Sequence, residues 1–512
     1  MIRRSLAIIF FLYAFNAGAQ VNKPLRVINN DSVRYWVQKV EKEPDSLAYH
    51  HEYIRSIGWE PNLYWYAEKY KARYDSTESV MRKQYEQWLR TFSQNATVHY
   101  AIGTAYYENE SPKATEFLKR TVALDKTNAE AYLKLAIDAE RWGNQEQAME
   151  YMRLASLADS SNPSYAFYYA MYFDDKDMVR FTNLIYALAD RFPAHERGAQ
   201  GFYWLGYNVK DQQKKIQVLE ELRKRYDPTK FNWSASGMSL LYNAYLNNVL
   251  NEKARDLAAD MSPRSGWQEK VDLANGLTAI TSLMQSGKYE LAYDSIVRLK
   301  KLRSSAQLSR IPILEASLAD KSGQTLSGYQ SLVALQAKAP TDEIGEAVNV
   351  YGRKIGKTAA QISADIQEIR KKNSKPAYPF DLGMYTSSTN AKLSDFKGKA
   401  VLITFWFPGC GPCRAEFPHF ENVVRKFKDA DFEYLGINVF PTQDDYVLPF
   451  LKGTRYSFTP LRATSDWAKD NYGVRGQPTN FLLDKEGNIV YANFRTDQDN
   501  ERTLELMIRS LL

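Results

Sequence analysis

The sequence contains only two cysteines in 512 residues, and both lie in one short segment, at Cys410 and Cys413. An apolar, β-branched run at residues 401–407 precedes them and predicts a buried strand. From residue 414 to residue 428, apolar residues recur at helical spacing, which predicts a helix. The cysteine pair is therefore expected at the point where a strand turns into a helix.

This position favours redox chemistry for the two thiols. The free N–H groups and the partial positive charge at the start of a helix stabilise a thiolate, which is the reactive form of cysteine. We therefore predict that Cys410 is the exposed nucleophile. Cys413, one helical turn further on, is placed to attack and resolve a mixed disulfide.

The alternatives for the pair are one half of a zinc site and an accidental spacing. A zinc site usually needs four ligands, and no second cysteine pair or histidine cluster supplies them. His419 is the only histidine in the C-terminal region. We therefore expect no metal, and the strand–turn–helix context favours the redox interpretation.

Trp406 and the Cys-Gly-Pro-Cys segment match the active-site segment of thioredoxins. Residues 393–399 and 474–489 resemble the TlpA/ResA branch, the exported thiol-disulfide oxidoreductases of bacterial envelopes. The resemblance covers residues 377–512. It implies an α/β thioredoxin-like domain with a central mixed sheet, at the C-terminal end of a multidomain chain.

The resemblance also implies roles for residues around the cysteines. Pro478 is the expected cis-proline, and Gln477 is expected to offer backbone groups to a bound peptide. Trp406, Gly411 and Pro412 complete the expected substrate-binding set. No dissociable cofactor is implied, because the Cys410–Cys413 dithiol itself carries the electrons.

Two positions depart from the thioredoxin pattern in ways that bear on proton transfer. Many thioredoxins have a buried aspartate two residues before the tryptophan, and here that position is Thr404. The TlpA/ResA branch has a glutamate three residues after the second cysteine, which here is Glu416. We predict either a proton-transfer role for Glu416 or a simpler role in complementing the helix dipole.

Two further positions bear on partners and on reaction type. The residue before the first cysteine is often tryptophan in the family, but here it is Gly409, which leaves partner choice open. A peroxiredoxin is disfavoured, because its motif would need threonine or serine where Phe407 stands.

The length of the chain and its N-terminal segment indicate a large, exported protein. The length exceeds the ~100–200 residues of one domain. The formal net charge of +7 is mild and shows no focused basic tract, so nucleic-acid binding lacks support. Residues 1–19 read as a signal peptide that ends in Ala17-Gly18-Ala19, with an uncleaved anchor as the alternative. No later segment is apolar for long enough to span a membrane, so we expect a periplasmic or cell-envelope protein.

The long middle of the chain is predicted to be helical. Residues 20–94 form an N-terminal helical region, and residues 95–370 resemble tetratricopeptide repeats that stack into an all-α solenoid. The turn at Gly143 is echoed at Gly287 and Gly323, and Pro163, Pro193, Pro228 and Pro263 are expected to follow helix ends. An irregular helical domain is the alternative. Residues 371–376 are predicted to be a charged linker.

These observations predict an enzyme, a thiol-disulfide oxidoreductase with protein clients and an upstream electron donor or acceptor. Gly411 and Pro412 between the cysteines match thioredoxin, which is strongly reducing, so a reductant is expected. The helical repeats are expected to recruit or position a protein partner. The alternatives are a non-catalytic scaffold with a peptide-binding thioredoxin-like domain, and a disulfide isomerase or chaperone.

Overall fold

The computed structural model describes residues 28–61, 71–174, 176–302 and 310–512. The expected signal peptide at residues 1–19 lies outside these ranges. Within them, no helix combines the length and the apolar character needed to cross a membrane.

The chain forms two compact units, and the first combines both ends of the sequence. It contains the described residues up to Tyr165 together with residues 375–512, whereas the described residues from 166 to 374 form the second unit. The helices that precede the second unit are α1 (Asn30–Lys42), α2 (Leu47–Ser56), α3 (Lys71–Thr91), α4 (Ala96–Glu108), α5 (Ala114–Leu124), α6 (Ala129–Arg141), α7 (Gln145–Ala158) and α8 (Pro163–Ala170), which spans the division.

Asparagine side chains cap the starts of α4, α6 and α7. Asn95, Asn128 and Asn144 each accept the backbone N–H three residues further on, which satisfies one of the free donors at a helix start. Helix α4 packs on α5, and α6 packs on α7. Ala148 and Ala155 have no exposed surface, so small side chains allow the close approach that the sequence predicts.

The second unit is helical throughout its described residues. Its remaining helices are α9 (Met178–Arg191), α10 (Glu196–Asn208), α11 (Gln212–Arg225), α12 (Asn232–Asn247), α13 (Asn251–Asp260), α14 (Gln268–Gln285), α15 (Tyr289–Leu299), α16 (Arg310–Lys321), α17 (Thr325–Lys338), α18 (Asp342–Lys354) and α19 (Ala359–Asn373).

Alternate helices end at a regular interval. From α5 to α13 these ends are 33 to 35 residues apart, and the ends of α7, α9, α11 and α13 are each followed within five residues by one of the expected prolines, at Pro163, Pro193, Pro228 and Pro263. The predicted succession of helix pairs is therefore confirmed. Its assignment to the tetratricopeptide family stays a prediction.

The C-terminal part is an α/β domain. Its strands are β1 (Lys375–Pro376), β2 (Asp381–Gly383), β3 (Asn390–Lys392), β4 (Ala400–Trp406), β5 (Phe432–Asn438), β6 (Thr459–Arg462), β7 (Thr479–Leu483) and β8 (Asn488–Ala492). Its helices are α20 (Gly411–Val424), α21 (Asp444–Thr454), α22 (Ser465–Tyr472) and α23 (Glu501–Arg509).

Six of these strands form one mixed sheet in the order β1-β8-β7-β4-β5-β6. Strands β4, β5 and β6 are parallel, whereas β7 is antiparallel to β4 and to β8. All seven residues of β4 are buried, as expected for a central strand covered on both faces. This topology confirms the predicted thioredoxin-type fold with a central mixed sheet.

The segment expected to be a linker has regular structure instead. Residues 371–373 are the last residues of α19, and residues 375–376 form β1, where Lys375 pairs with Ile489. The expected separation of all the helices from the C-terminal domain is also not what the structure shows, because the first helices share a compact unit with that domain. Helix α21 of the α/β domain packs against α6. The linker prediction relied on local composition, which carries no information about such distant contacts.

Candidate active site

Strand β4 and helix α20 place the two cysteines as the sequence predicts. Cys410 is the N-cap residue of α20, and its Sγ accepts the backbone N–H of Cys413 at 3.2 Å. The two cysteines form a disulfide with their Cα atoms 5.3 Å apart. Cys413 has no exposed surface, and Cys410 is 4% exposed. Cys410 is therefore the more accessible of the two, but it is buried rather than exposed as the sequence predicts.

The register of the sheet brings Pro478 to the same end as the cysteines. Thr479 pairs with Phe405 near the C-terminal end of β4. The preceding residue, Pro478, therefore lies at the end of the sheet where β4 leads into α20. The Gln477–Pro478 peptide bond is cis, as the resemblance implies. Pro478 is buried, whereas Gln477 is partly exposed.

Trp406 and Gly411 do not lie at an exposed surface. The Trp406 side chain has no exposed surface, and its ring lies 5.1 Å from that of Phe417 and 5.2 Å from that of Phe450. It is therefore a core residue, and the structure does not show the expected contact surface between Trp406 and a substrate. Gly411 is buried as well, but Pro412 keeps part of its surface.

Glu416 belongs to α20, and its side chain is buried among polar groups. Its carboxylate accepts hydrogen bonds from Asn480 Nδ2 at 2.9 Å and from the backbone N–H of Thr496 at 3.1 Å. Arg495 approaches the same carboxylate at 3.5 Å. Burial raises the pKa of Glu416, and Arg495 and the two hydrogen bonds oppose that rise only in part.

Thr404 cannot replace the aspartate found in many thioredoxins. It is fully buried, and its hydroxyl lies 3.5 Å from the Tyr434 hydroxyl. Asn480 pairs with Thr404 across the β4–β7 ladder, so the position next to Thr404 is the one that supplies a hydrogen bond to Glu416. The carboxyl group beside the cysteines is therefore that of Glu416 on α20, and β4 supplies none.

Phe407 has aromatic surroundings. It is 6% exposed, and its ring lies 4.6 Å from that of Phe440. The position at which a peroxiredoxin would carry a hydroxyl therefore contributes to the apolar core.

The peptide unit between Pro408 and Gly409 is held by two side chains that sequence reasoning missed. Arg414 Nη1 donates to the Pro408 carbonyl at 2.6 Å, and the Gly409 N–H donates to Gln443 Oε1 at 2.7 Å. Arg414 directly follows Cys413, but nothing in its spacing indicates this contact. Gln443 lies in a short 3₁₀ turn before α21.

Among the described residues, no group of three or more His, Cys, Asp or Glu side chains has an arrangement that could hold a metal ion. The chemistry that the site offers is that of the disulfide and of the buried carboxyl group near it.

Comparisons with known proteins agree with this geometry. Residues 374–492 match the model of the AhpC/TSA family. Over 105 residues the chain is 35% identical to the thiol-disulfide oxidoreductase ResA of Bacillus subtilis (strain 168), which covers 20% of this chain and 58% of that protein. Over 116 residues it is 31% identical to the same-named protein of Bacillus cereus (strain ATCC 10987 / NRS 248), which covers 23% of this chain and 66% of that protein. The chain thus spans less than two thirds of the length of these relatives.

Two solved structures are also similar to part of the chain. One is the thioredoxin domain of a thiol-disulfide oxidoreductase from Bacteroides vulgatus, which is 30% identical with a TM-score of 0.24 and covers 26% of this chain and 96% of that one. The other is a thiol:disulfide interchange protein from Bacteroides sp., which is 29% identical with a TM-score of 0.24 and covers 27% of this chain and 90% of that one. The sheet topology and the family match show a thioredoxin-type domain in the C-terminal region, and the curated relatives to which it is similar are thiol-disulfide oxidoreductases.

Proposed function

We propose that this protein is an exported thiol-disulfide oxidoreductase that reduces disulfides of protein clients in the periplasm or cell envelope of a bacterium. The proposal rests on the Cys410–Cys413 disulfide at the start of α20, which lies at the same end of the sheet as Pro478. The curated relatives support it, because they are thiol-disulfide oxidoreductases. The signal peptide expected at residues 1–19 supports the location.

In the proposed reaction, the reduced protein transfers two electrons to a client disulfide. The Cys410 thiolate attacks one client sulfur, which forms a mixed disulfide and releases the other client sulfur as a thiolate. The Cys413 thiolate then attacks Cys410 Sγ, expels the second client thiolate and closes the internal disulfide. A dithiol donor regenerates the reduced protein by the reverse exchange, so no dissociable cofactor takes part.

Glu416 is the proposed proton acceptor and donor for Cys413. It lies three residues after Cys413, so the two side chains share one face of α20. Burial raises the pKa of Glu416. Its carboxyl group therefore keeps its proton to a higher pH than an exposed glutamate does. Its burial does not support the alternative of a solvent-facing residue that only complements the helix dipole.

The client is proposed to bind across Pro412 and the Gln477–Pro478 turn. Both Pro412 and Gln477 have accessible surface, and an extended client segment could hydrogen-bond to the Gln477 backbone. The helical repeats are proposed to contact a protein partner, because stacked helix pairs form extended binding surfaces.

Insulin reduction tests the proposal. The mature full-length protein should accelerate the reduction of insulin disulfides by dithiothreitol, and Cys410→Ser should abolish the acceleration. Cys413→Ser should instead trap mixed disulfides with clients in cells, which mass spectrometry would identify. Equal rates for the wild-type protein and Cys410→Ser would contradict the catalytic assignment and leave a peptide-binding scaffold as the remaining function.

A further inference from the structure

We infer that two carboxylates of the N-terminal helical region, Glu110 in the turn between α4 and α5 and Glu140 in α6, are positioning residues for the redox site, because they hold the side chains that fix the peptide unit preceding Cys410. This inference rests on the proposed function. It gives the first helices a role inside the redox site, beyond the recruitment of a partner.

The peptide unit between Pro408 and Gly409 is fixed at both of its polar atoms. Its carbonyl accepts from Arg414, and its N–H donates to Gln443. Both Pro408 and Gly409 are buried, so water does not compete easily for these hydrogen bonds. The next residue is Cys410, whose backbone N–H donates to the Phe407 carbonyl at 2.9 Å.

Each of the two side chains that hold this peptide unit is itself held by a carboxylate of the N-terminal helical region. Gln443 Nε2 donates to Glu110 Oε2 at 2.5 Å. Arg414 Nη2 donates to Glu140 Oε2 at 3.0 Å. These contacts join residues more than 270 positions apart in the sequence, and they lie within one compact unit.

Glu110 is held rigidly in this place. It is 3% exposed, its backbone is left-handed with φ +49°, and Arg141 pairs with its other carboxylate oxygen at 3.5 Å. A left-handed backbone is unfavourable for a residue other than glycine, and it persists only where its surroundings enforce it. Since Arg141 is itself 1% exposed along its side chain, the pair is part of the buried packing between α4, α6 and the α/β domain.

The same arrangement explains the glycine before the first cysteine. A Cβ atom on Gly409 would lie 2.2 Å from Glu110 Oε2 and 3.0 Å from Gln443 Nε2. No side chain fits there while Glu110 is in place. The space that an aromatic residue at this position often occupies in the family is therefore filled by the carboxylate of Glu110, from the turn between α4 and α5.

The consequence for Cys410 follows from where its sulfur lies. The sulfur accepts the Cys413 N–H at the start of α20, and such contacts stabilise a thiolate. A Pro408–Gly409 peptide unit that is free to rotate would let the cysteine leave this position. Glu110 therefore favours the Cys410 thiolate by fixing the turn, although its negative charge alone acts in the opposite direction.

Paired variants of the full-length protein separate positioning from charge. Glu110→Gln and Glu110→Ala both remove the charge, but only the glutamine can still accept a hydrogen bond from Gln443. The control is Glu116→Gln, an exposed glutamate of α5. Iodoacetamide alkylation of reduced Cys410 is followed from pH 5 to pH 9, the reduction potential is measured against glutathione, and circular dichroism checks the fold.

We expect the apparent pKa of Cys410 to be higher in Glu110→Ala than in Glu110→Gln. A shift of about half a unit to one unit corresponds to alkylation about three- to tenfold slower below the pKa. Glu116→Gln should match the wild-type protein. Superimposable profiles for the two Glu110 variants would overturn the inference, as would an equal shift in Glu116→Gln.

If Glu110→Ala does not fold, Gln443→Met provides the same test at constant charge and similar volume. A raised Cys410 pKa in Gln443→Met supports the inference, and an unchanged pKa overturns it. Insulin reduction distinguishes the two proposals. A wild-type protein that does not reduce insulin contradicts the proposed function even if the alkylation profiles differ. A wild-type protein that does reduce insulin, with superimposable variant profiles, contradicts only the positioning role.

Discussion

Three turns of the helical region have nearly the same local structure but different surroundings. Gly143 between α6 and α7, Gly287 between α14 and α15, and Gly323 between α16 and α17 have φ values of +74°, +69° and +79°. A Cβ atom on Gly143 would lie 2.6 Å from the Phe450 carbonyl oxygen of the α/β domain. No described heavy atom lies within 4 Å of the same position at Gly287 or Gly323.

The charges near these turns differ in the same way. Arg141, at the end of α6, is buried with Glu110 and Asp138. In the second unit, Lys354 pairs with Asp320 while about half of the Lys354 side chain stays exposed. The α6–α7 pair therefore packs against the α/β domain, although its turn has the same glycine conformation as the other two.

The largest expected effect is that of Arg141→Met. The substitution leaves Glu110 and Asp138 buried without their cation, which costs about 3–5 kcal/mol. Burial already raises the pKa of Asp138, and removal of Arg141 should raise it further. Protonation then relieves part of the cost, so the loss should be smaller at pH 5 than at pH 8. Urea unfolding of the full-length protein at both pH values measures this loss.

Lys354→Met is the matched control in the second unit, and it should change stability little at either pH because the pair is exposed. A similar loss for Arg141→Met and Lys354→Met would remove the distinction between the two regions.

The next effect compares two glycines. Gly287→Ala introduces only the strain of a left-handed alanine, which costs about 1 kcal/mol. Gly143→Ala adds a collision with the backbone at Phe450 and should cost about 2–4 kcal/mol. Thermal unfolding of both variants, followed by circular dichroism, provides the measurement. Equal losses would mean that α21 does not dock against this turn as the structure shows.

The smallest expected effect concerns the buried carboxyl group within the α/β domain. A carboxyl group whose pKa is raised by folding favours its neutral form, so its contribution to stability falls as the pH rises from its ordinary pKa through the raised one. Burial raises the pKa of Glu416. Glu416→Gln should therefore gain stability relative to the wild-type protein at pH 8 and much less at pH 4.

The same substitution should lower the apparent pKa of Cys413, because it removes a negative charge from the same helix face. Alkylation profiles of the reduced proteins measure this shift. Identical profiles and identical pH dependence of stability would leave Glu416 without a part in the thiol chemistry.

The sequence was sufficient to predict the cysteine pair at the start of a helix and the fold around it. The apolar run before Cys410, the helical spacing after Cys413 and the Pro478 motif are local signals, and each fixes an element or a turn directly. The helix pairs were also predictable, because small residues and prolines recur with them. These features depend on residues that are close together in the chain.

The parts that sequence reasoning missed depend on distant residues. Nothing near Glu110 or Glu140 indicates that they lie beside the active-site loop, because their partners Gln443 and Arg414 are hundreds of residues away. The sequence alone shows the departure at Gly409, but its cause is the distant Glu110 carboxylate that occupies the space. Trp406 was expected to touch substrate because its motif position suggests it, yet the aromatic rings around it make it part of the core.

The central claim is that the first helices and the redox domain form one unit, distinct from the later helices. Hydrogen exchange of the full-length protein, measured by mass spectrometry at increasing urea concentration, tests it most directly. The account predicts that peptides from α4–α7 and from β4–β7 lose protection in one transition, while peptides from α16–α19 lose protection in another. If α4–α7 instead opened together with α16–α19 and left β4–β7 protected, the helices would be a separate solenoid and the account would be contradicted.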